Sequence, residues 1–502
     1  VAERPAFERL RARLFDVVDL HGVSYLLKWD QSTYMPSGGA VARARQTALL
    51  KTLAHERFVD AEVGRLLEAA EREVEGLPAD AFEAAYVRVA RRDFERAVAT
   101  PAAFTRRFFA HTAATYQAWT EARPADDWAR MVPLLEETLD LSHALSGYEG
   151  PGAAHPADPL IARSDFGMTV ALLRPLFAEL RAALVPLVRA ASAAPPPDDA
   201  FLRRPTPVAA QVAWARERVA AFGYDLTRGR VDPTAHPFAI EFSVDDVRIT
   251  IRSRADDLRE TLFTTFHESG HGMYHQGLDP RFEGTPLADG ASAGVHESQS
   301  RLWENVVGRS LGFWRGAYPS LQAALPEALA DVAVEDFVRA VNVVRPSPIR
   351  TAADEATYNL HVIVRFELEL ALLEGRLAVR DLAEAWRAAY ADVLGIEVAS
   401  DRDGVLQDVH WFSREIGGAF QGYTIGNVLS VQFYEAACRV HPQIPAEIEA
   451  GRYATLYRWT RDHVHRHGRT YDPVDLIARV AGGPLDAGPY LRYLRSKFAP
   501  DA

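Results

Sequence analysis

The run His267-Glu268-Ser269-Gly270-His271 is the part of this chain whose residue types and spacing speak most directly of chemistry. Histidines at i and i+4 share one face of a helix and can hold one Zn²⁺ between their imidazoles. A glutamate directly after the first is placed to act on water at that metal. Hydrolysis needs a third protein ligand and an open fourth position. His275 continues the i+4 series, but eight residues carry it about 12 Å along the axis and ~80° around it from His267. Those three rings cannot converge on one ion, so His275 is expected at the surface or behind a ligand. Gly277 stands where the third histidine of an HExxHxxGxxH arrangement would fall. Downstream, His296-Glu297-Ser298-Gln299-Ser300-Arg301 opens a second amphipathic helix with Leu302, Val306 and Leu311 on its apolar side. Glu297 is the best candidate for a His₂Glu set, and Glu304, seven residues on and on the same face, is the next. Spacing alone allows Glu297 to be a solvated helix charge instead.

The elements that must position these residues are legible around them. A helix is expected from Asp256 to Gln276, with Asp256 and Asp257 in its first turn, Gly277 at its end, and a buried stripe of Leu258, Leu262 and Phe266. Just before it, Phe238, Ile240 and Phe242, then Val247, Ile249 and Ile251, alternate with other residues. That period predicts a hairpin over Pro237–Arg252 with its turn near Ser243–Asp246. A sheet edge beside the metal helix can hold an extended peptide by main-chain hydrogen bonds. Most of the remaining chain reads as amphipathic helix, as at Phe7, Leu10, Leu14, Val17 and Val18, from Leu134 through Leu145, and from Leu172 through Leu187. Loops are expected at Glu149–Asp158 and Ala193–Asp199. There is no internal repeat and no linker that would divide the chain.

Composition excludes several classes. The 502 residues are 48% hydrophobic and 25% charged, which is ordinary for a globular protein. A formal net charge of −12 argues against a nucleic-acid or anionic-membrane partner. The single Cys438 rules out an internal disulfide framework and a cysteine-based zinc site, and is expected to be a small buried residue. No stretch approaches the ~20 apolar residues of a membrane span, and no basic n-region leads into an apolar run, so a cytoplasmic location is the default expectation.

Further motifs follow one another in a recognisable order. They are Trp29-Asp30-Gln31-Ser32-Thr33-Tyr34-Met35-Pro36, His236-Pro237-Phe238, Asp246-Val247-Arg248-Ile249-Thr250, HESGH, HESQ at His296–Gln299, Ile349-Arg350-Thr351-Ala352-Ala353-Asp354-Glu355 and Leu406-Gln407-Asp408-Val409-His410-Trp411. With these the chain resembles the Taq-type metallocarboxypeptidases nearly end to end, a family of helical zincins similar in fold to neurolysin and angiotensin-converting enzyme. The resemblance implies a mainly α fold: one large helical body with a deep cleft and a small β-sheet beside the zinc helix. It also implies a single domain over 1–502, in which about 1–200 forms one cleft wall and 201–502 carries the metal. It makes Glu297 the third ligand beside His267 and His271, with Zn²⁺ as the ion and Co²⁺ as the alternative. The implied partners are peptide substrates and a second copy of the chain in a homodimer.

The expected reaction is hydrolysis of peptides at a free C-terminus, with broad specificity. Zn²⁺ polarises the scissile carbonyl and activates water, and Glu268 takes the water proton and returns it to the leaving amine. By resemblance His410 and Tyr423 donate to the tetrahedral oxyanion. Arg350 is the first choice to read the substrate carboxylate, with Arg248 and Arg252 after it, because a guanidinium fork binds carboxylate bidentately. Asp354 is expected to orient a ligand imidazole or to form a structural salt bridge. In one place the chain departs from the family, whose glycine-rich GYFPTYxLG loop reads here Ile416-Gly417-Gly418-Ala419-Phe420-Gln421-Gly422-Tyr423-Thr424-Ile425-Gly426. With more glycine and no proline, Gly417–Gly426 is expected to be mobile until a peptide binds. Two other classes share the sequence features: an oligoendopeptidase of the related zincin group, and a catalytically silent zinc protein.

Overall fold

The structure is a computed structural model and describes residues 3–499. Two buried cores organise it. The smaller is built by four helices, Pro5–Thr33, Ala40–Phe58, Ala61–Val74 and Phe82–Ala99. Phe7, Leu10 and Leu14 of the first meet Val63 and Leu67 of the third and Tyr86 and Val89 of the fourth, and Phe282 and Leu287 from the body close the cluster. The larger core begins with the helix Ala102–Ala125 and runs to the C-terminal helix Ala487–Phe498. The change of core therefore falls between Ala99 and Ala102, well before residue 200. Expected helices and loops lie where the periodicity put them: helices Trp128–Glu149 and Val170–Ala193, each followed by an irregular segment. Cys438 is only half-buried, on the helix Gln421–Val440.

The hairpin is present as β2 (Ala239–Ser243) and β3 (Asp246–Ile251), preceded by a strand that the alternation did not reveal, β1 (Val231–Pro233). β3 is central, antiparallel to β2 and parallel to β1. Three residues are too few for a period to be read, and one of them is a proline at the edge. Two sequence motifs meet in this sheet. Thr250 donates through its backbone N–H to the Phe238 carbonyl and accepts at Oγ1 from the Phe238 N–H. The N-terminal motif docks on the sheet by Trp29 under the Arg248 guanidinium, 4.5 Å from ring to cation, and by the Tyr34 hydroxyl donating to Asp232 at 2.7 Å. Among the described residues no helix is long and apolar enough to cross a membrane.

Three helices carry the site. The motif helix, Leu258–Gln276, starts two residues later than expected because Asp257 is its cap: its carboxylate accepts from the Arg259 N–H. The ligand helix, Ala293–Arg301, is capped by Ser292 and passes directly into a π-helical turn, Leu302–Val307, instead of continuing to Leu311. A clamp helix, Gln421–Val440, lies along its other side. Gly417 and Gly418, at φ 100° and 84°, turn the chain into this helix. The segment expected to be a mobile loop is thus helical from Gln421, and Tyr423 sits in its first turn. Gln421 is buried and donates to Asp165, which also accepts from the Gly294 N–H. One buried carboxylate so ties the N-terminal ends of the ligand and clamp helices together.

Glycine sets the spacing of these helices. A Cβ on Gly270 would lie 2.4 Å from the Gln299 carbonyl oxygen and 2.5 Å from Ser300 Cα, both backbone atoms of the ligand helix. A Cβ on Gly426 would lie 2.5 Å from Glu297 Cβ and Cγ. Within the 417–426 segment Gly426 therefore serves close helix packing, while Gly417 and Gly418 serve the turn. Gly270→Ala should force the motif and ligand helices apart, at a cost of about 1–3 kcal/mol. Thermal unfolding should show a lower Tm, and dialysis against Zn²⁺ a weaker metal affinity, although no ligand is changed. Wild-type values in both would mean that the helices do not touch as described.

Candidate metal centre and active site

The two motif histidines and Glu297 meet at one point. His267 Nε2 and His271 Nε2 are 3.2 Å apart, and Glu297 Oε2 is 3.5 Å from the second and 3.9 Å from the first. A tetrahedral ion with ligands at 2.0–2.1 Å separates its donor atoms by about 3.3 Å, so this donor set fits zinc with sub-ångström adjustment and no backbone movement.

The back nitrogens of both imidazoles are held. His267 Nδ1 is 2.9 Å from Glu304 Oε2, the carboxylate–histidine pairing that fixes a ring with Nε2 free for metal. Glu304 is therefore behind the ligand shell and not in it. The π-helical turn accounts for this: its wider winding brings Glu304 to the rear of His267 while Glu297 faces the front. His271 Nδ1 is 2.5 Å from His296 Nδ1, and His296 Nε2 is 2.7 Å from His275 Nε2. His275 is accordingly buried and linked to a ligand through His296, not a surface residue. Asp354, expected to orient an imidazole, instead caps the helix Glu355–Leu373 by accepting from the Ala356 and Thr357 N–H groups.

Arg301 supplies the local cation. Its Nε donates to Glu297 Oε1 at 2.7 Å and its Nη1 to Glu304 Oε2 at 3.0 Å. Burial would raise both carboxyl groups, but Arg301 together with His267 outweighs it, holding Glu297 well below the usual carboxylate range and Glu304 at about 2. Glu268 has no such partner. Burial, opposed by His267 and reinforced by the charges of Glu297 and Glu304, pushes it up to about 7. Sequence reasoning missed Arg301, whose signal was its spacing of four from Glu297 and three from Glu304.

A cavity of 530 Å³ opens onto His271, His296, Glu297 and Tyr423. The Tyr423 hydroxyl lies 3.2 Å from His410 Nε2. Burial pushes the His410 imidazole down to about 3, against the pull of Asp408, and raises the Tyr423 phenol to about 12. Arg350 stands in the adjoining wall with its cation 5.2 Å from the Tyr423 ring. Its Nε and Nη2 donate to Asp408 and its Nη1 to the Tyr358 hydroxyl, leaving two of five N–H groups, one on each Nη. Gln407 accepts from the Arg350 N–H and donates to the Pro348 carbonyl, so the two motifs around Arg350 and His410 are stitched into one wall. Arg248 and Arg252 are not brought here. Asp246 fills the fork of Arg248 and Glu260 that of Arg252, and neither lines the cavity.

Fold and site together define the class, a helical HExxH metallopeptidase whose two motif histidines converge with a glutamate. Residues 9–498 match the model of the family described as carboxypeptidase Taq (M32) metallopeptidase. The chain is 42% identical to thermostable carboxypeptidase 1 of Thermus thermophilus over 98% of both chains, and 34% identical to carboxypeptidase 1 of Bacillus subtilis over 94% of both. The crystal structure of the M32 carboxypeptidase from Deinococcus radiodurans superposes with a TM-score of 0.96 at 50% identity, covering 99% of each chain. The chain belongs to the M32 family and is a metallocarboxypeptidase, which decides against the oligoendopeptidase and the silent zinc protein.

The placement of Glu304 gives a test. Glu304→Ala should lower Zn²⁺ affinity about 10–100-fold while leaving one ion bound at saturation. Glu297→Ala should abolish stoichiometric binding. Metal analysis after dialysis separates the two, and the reverse ranking would exchange their roles.

Proposed function

We propose that the ion is Zn²⁺, that the substrate is a peptide with a free C-terminal carboxylate, and that Glu268 is the proton-transfer group of its hydrolysis. The observation that carries this reading is the convergence of His267 Nε2, His271 Nε2 and Glu297 Oε2 within 3.2–3.9 Å of one another, with the Glu268 carboxyl buried directly after the first of them. A carboxylate beside the metal site can take a proton from water and release it to the leaving amine. When bound, the ion supplies a Lewis acid for the scissile carbonyl and acidifies water at the open position.

The remaining chemistry falls to Tyr423, which lines the cavity, and to His410 and Arg350, which pack against it. A neutral His410 with its proton on Nε2 and the neutral Tyr423 phenol both donate, and their 3.2 Å separation lets both reach one oxyanion. Arg350 anchors the substrate carboxylate with its two free N–H groups, while Asp408 and Tyr358 hold the guanidinium in place. Two further readings stand beside it, the first on the family resemblance and the second as the default expectation of the sequence. One is that the enzyme works as a homodimer, which light scattering in solution tests. The other is that it resides in the cytoplasm, which cell fractionation tests.

Mass spectrometry of a long unstructured peptide, digested with and without chelator, tests the whole reading. Stepwise loss from the C-terminus, abolished by chelator and restored by Zn²⁺, is expected; internal cuts or chelator-insensitive trimming would contradict it. Glu268→Gln should keep its zinc and lose about 10²–10⁴ in kcat. An empty variant would make Glu268 structural. Arg350→Ala should lower kcat/KM for free peptides and leave C-terminally amidated ones nearly unchanged, and equal losses on both would remove Arg350 from carboxylate recognition. Tyr423→Phe should lower kcat with little change in KM, because the hydroxyl is needed only as the oxyanion develops.

A further inference from the structure

Behind the metal centre lies a second convergence of ligand-type side chains, drawn from four separate segments. Glu241 comes from β2, His275 from the last turn of the motif helix, Asp289 from the segment before the ligand helix, and His296 from the ligand helix itself. His275 Nε2 is 2.7 Å from His296 Nε2 and 3.3 Å from Glu241 Oε2. Ligand atoms of His275, Asp289 and His296 all fall within 4.8 Å of one another. His275 is only 4% exposed, yet its Nδ1 has no hydrogen-bond partner, so nothing holds the ring from behind as a structural histidine is usually held. Burial raises the Glu241 carboxyl, and the charge of Asp289 adds to the rise against the pull of His275. A cation between the two carboxylates would relieve their repulsion.

We propose that His275, Asp289 and His296, with Glu241 beside His275, form a second site for a divalent transition-metal ion, sharing no ligand with His267, His271 and Glu297. Two imidazoles and two carboxylates suit Zn²⁺, Co²⁺ or Mn²⁺ and disfavour Ca²⁺ and Mg²⁺, which prefer oxygen throughout. The 2.7 Å hydrogen bond between the two Nε2 atoms marks where the ion enters. The rings must separate to about 3.3 Å to receive it.

The two sites are coupled through one contact. A His271 that gives Nε2 to the catalytic ion keeps its proton on Nδ1. His296 must then accept at its own Nδ1, 2.5 Å away, and so carries its proton on Nε2. That is the nitrogen the second ion needs, so the second ion can bind only if His296 moves this proton to Nδ1, where it opposes the His271 N–H. It therefore binds more weakly than the first and fills only at metal excess.

Equilibrium dialysis of the metal-free protein against rising Zn²⁺, with zinc per chain read by mass spectrometry, tests this. Two steps are expected, a tight first equivalent and a second at least about tenfold weaker, since an opposing proton contact is of the size of 1.4 kcal/mol or more. Asp289→Asn, at an exposed position, and His275→Asn should each remove the second step while keeping the first. Asp289 keeps the test open if the buried His275 variant does not fold. A wild-type plateau at one equivalent would overturn the proposal, as would a second equivalent that survives Asp289→Asn in the folded protein. Because the readout is stoichiometry, its failure leaves the peptidase reading untouched.

Discussion

Everything in this site depends on how closely two helices approach. Two candidate ligands come from the motif helix and one from the ligand helix, so the point where they meet is set by how these helices pack. Gly270, between the two ligand histidines, removes the side chain that would hold the backbones apart. Gly426 does the same for the clamp helix against Glu297. The ligand helix is thus fixed from both sides, and Asp165 ties its start to the start of the clamp helix. The position of Glu297 follows from packing, before any metal contributes.

That packing brings three carboxylates into a buried space with the Arg301 guanidinium, and Arg309 adds a longer contact of 3.4 Å to Glu304. Arg301 reaches Glu297 and Glu304 but not Glu268, and this asymmetry divides their roles. The two paired carboxylates stay ionised, Glu297 facing the histidine pair and Glu304 holding His267 from behind; burial raises Glu268, which lacks a paired cation. Arg301, one helical turn from Glu297, thereby sets the paired carboxylates apart from Glu268. In the adjoining wall the charges are reversed, and Asp408 fixes both Arg350 and Arg365.

Much of this was legible in the sequence, and the limits have physical reasons. The histidine pair of the candidate metal centre could be read because an i, i+4 spacing is a local signature, and the hairpin because its apolar residues alternate in both strands; Glu297 came only with the family resemblance. The third strand was not, since three residues carry no period. Spacing puts Glu304 on the same face as Glu297 and makes it the alternative third ligand; a π-helical turn breaks the 100° step and carries it behind His267. The segment Gly417–Gly426 was read as mobile because glycine signals both freedom and close approach, and only the neighbouring helix tells which applies. Asp354 and the arginines Arg248 and Arg252 belong to motifs, yet a motif residue can serve the frame. Asp354 caps a helix, and Arg248 binds the N-terminal motif to the sheet.

The central claim is that packing selects Glu297 as ligand and leaves Glu304 behind His267. X-ray absorption at the zinc edge of the protein loaded with one equivalent tests it most directly, on the wild type and on Glu304→Ala. The account predicts two imidazoles with oxygen ligands at about 2.0–2.2 Å in both proteins. Loss of an oxygen ligand in Glu304→Ala, or a third imidazole in either, would contradict it.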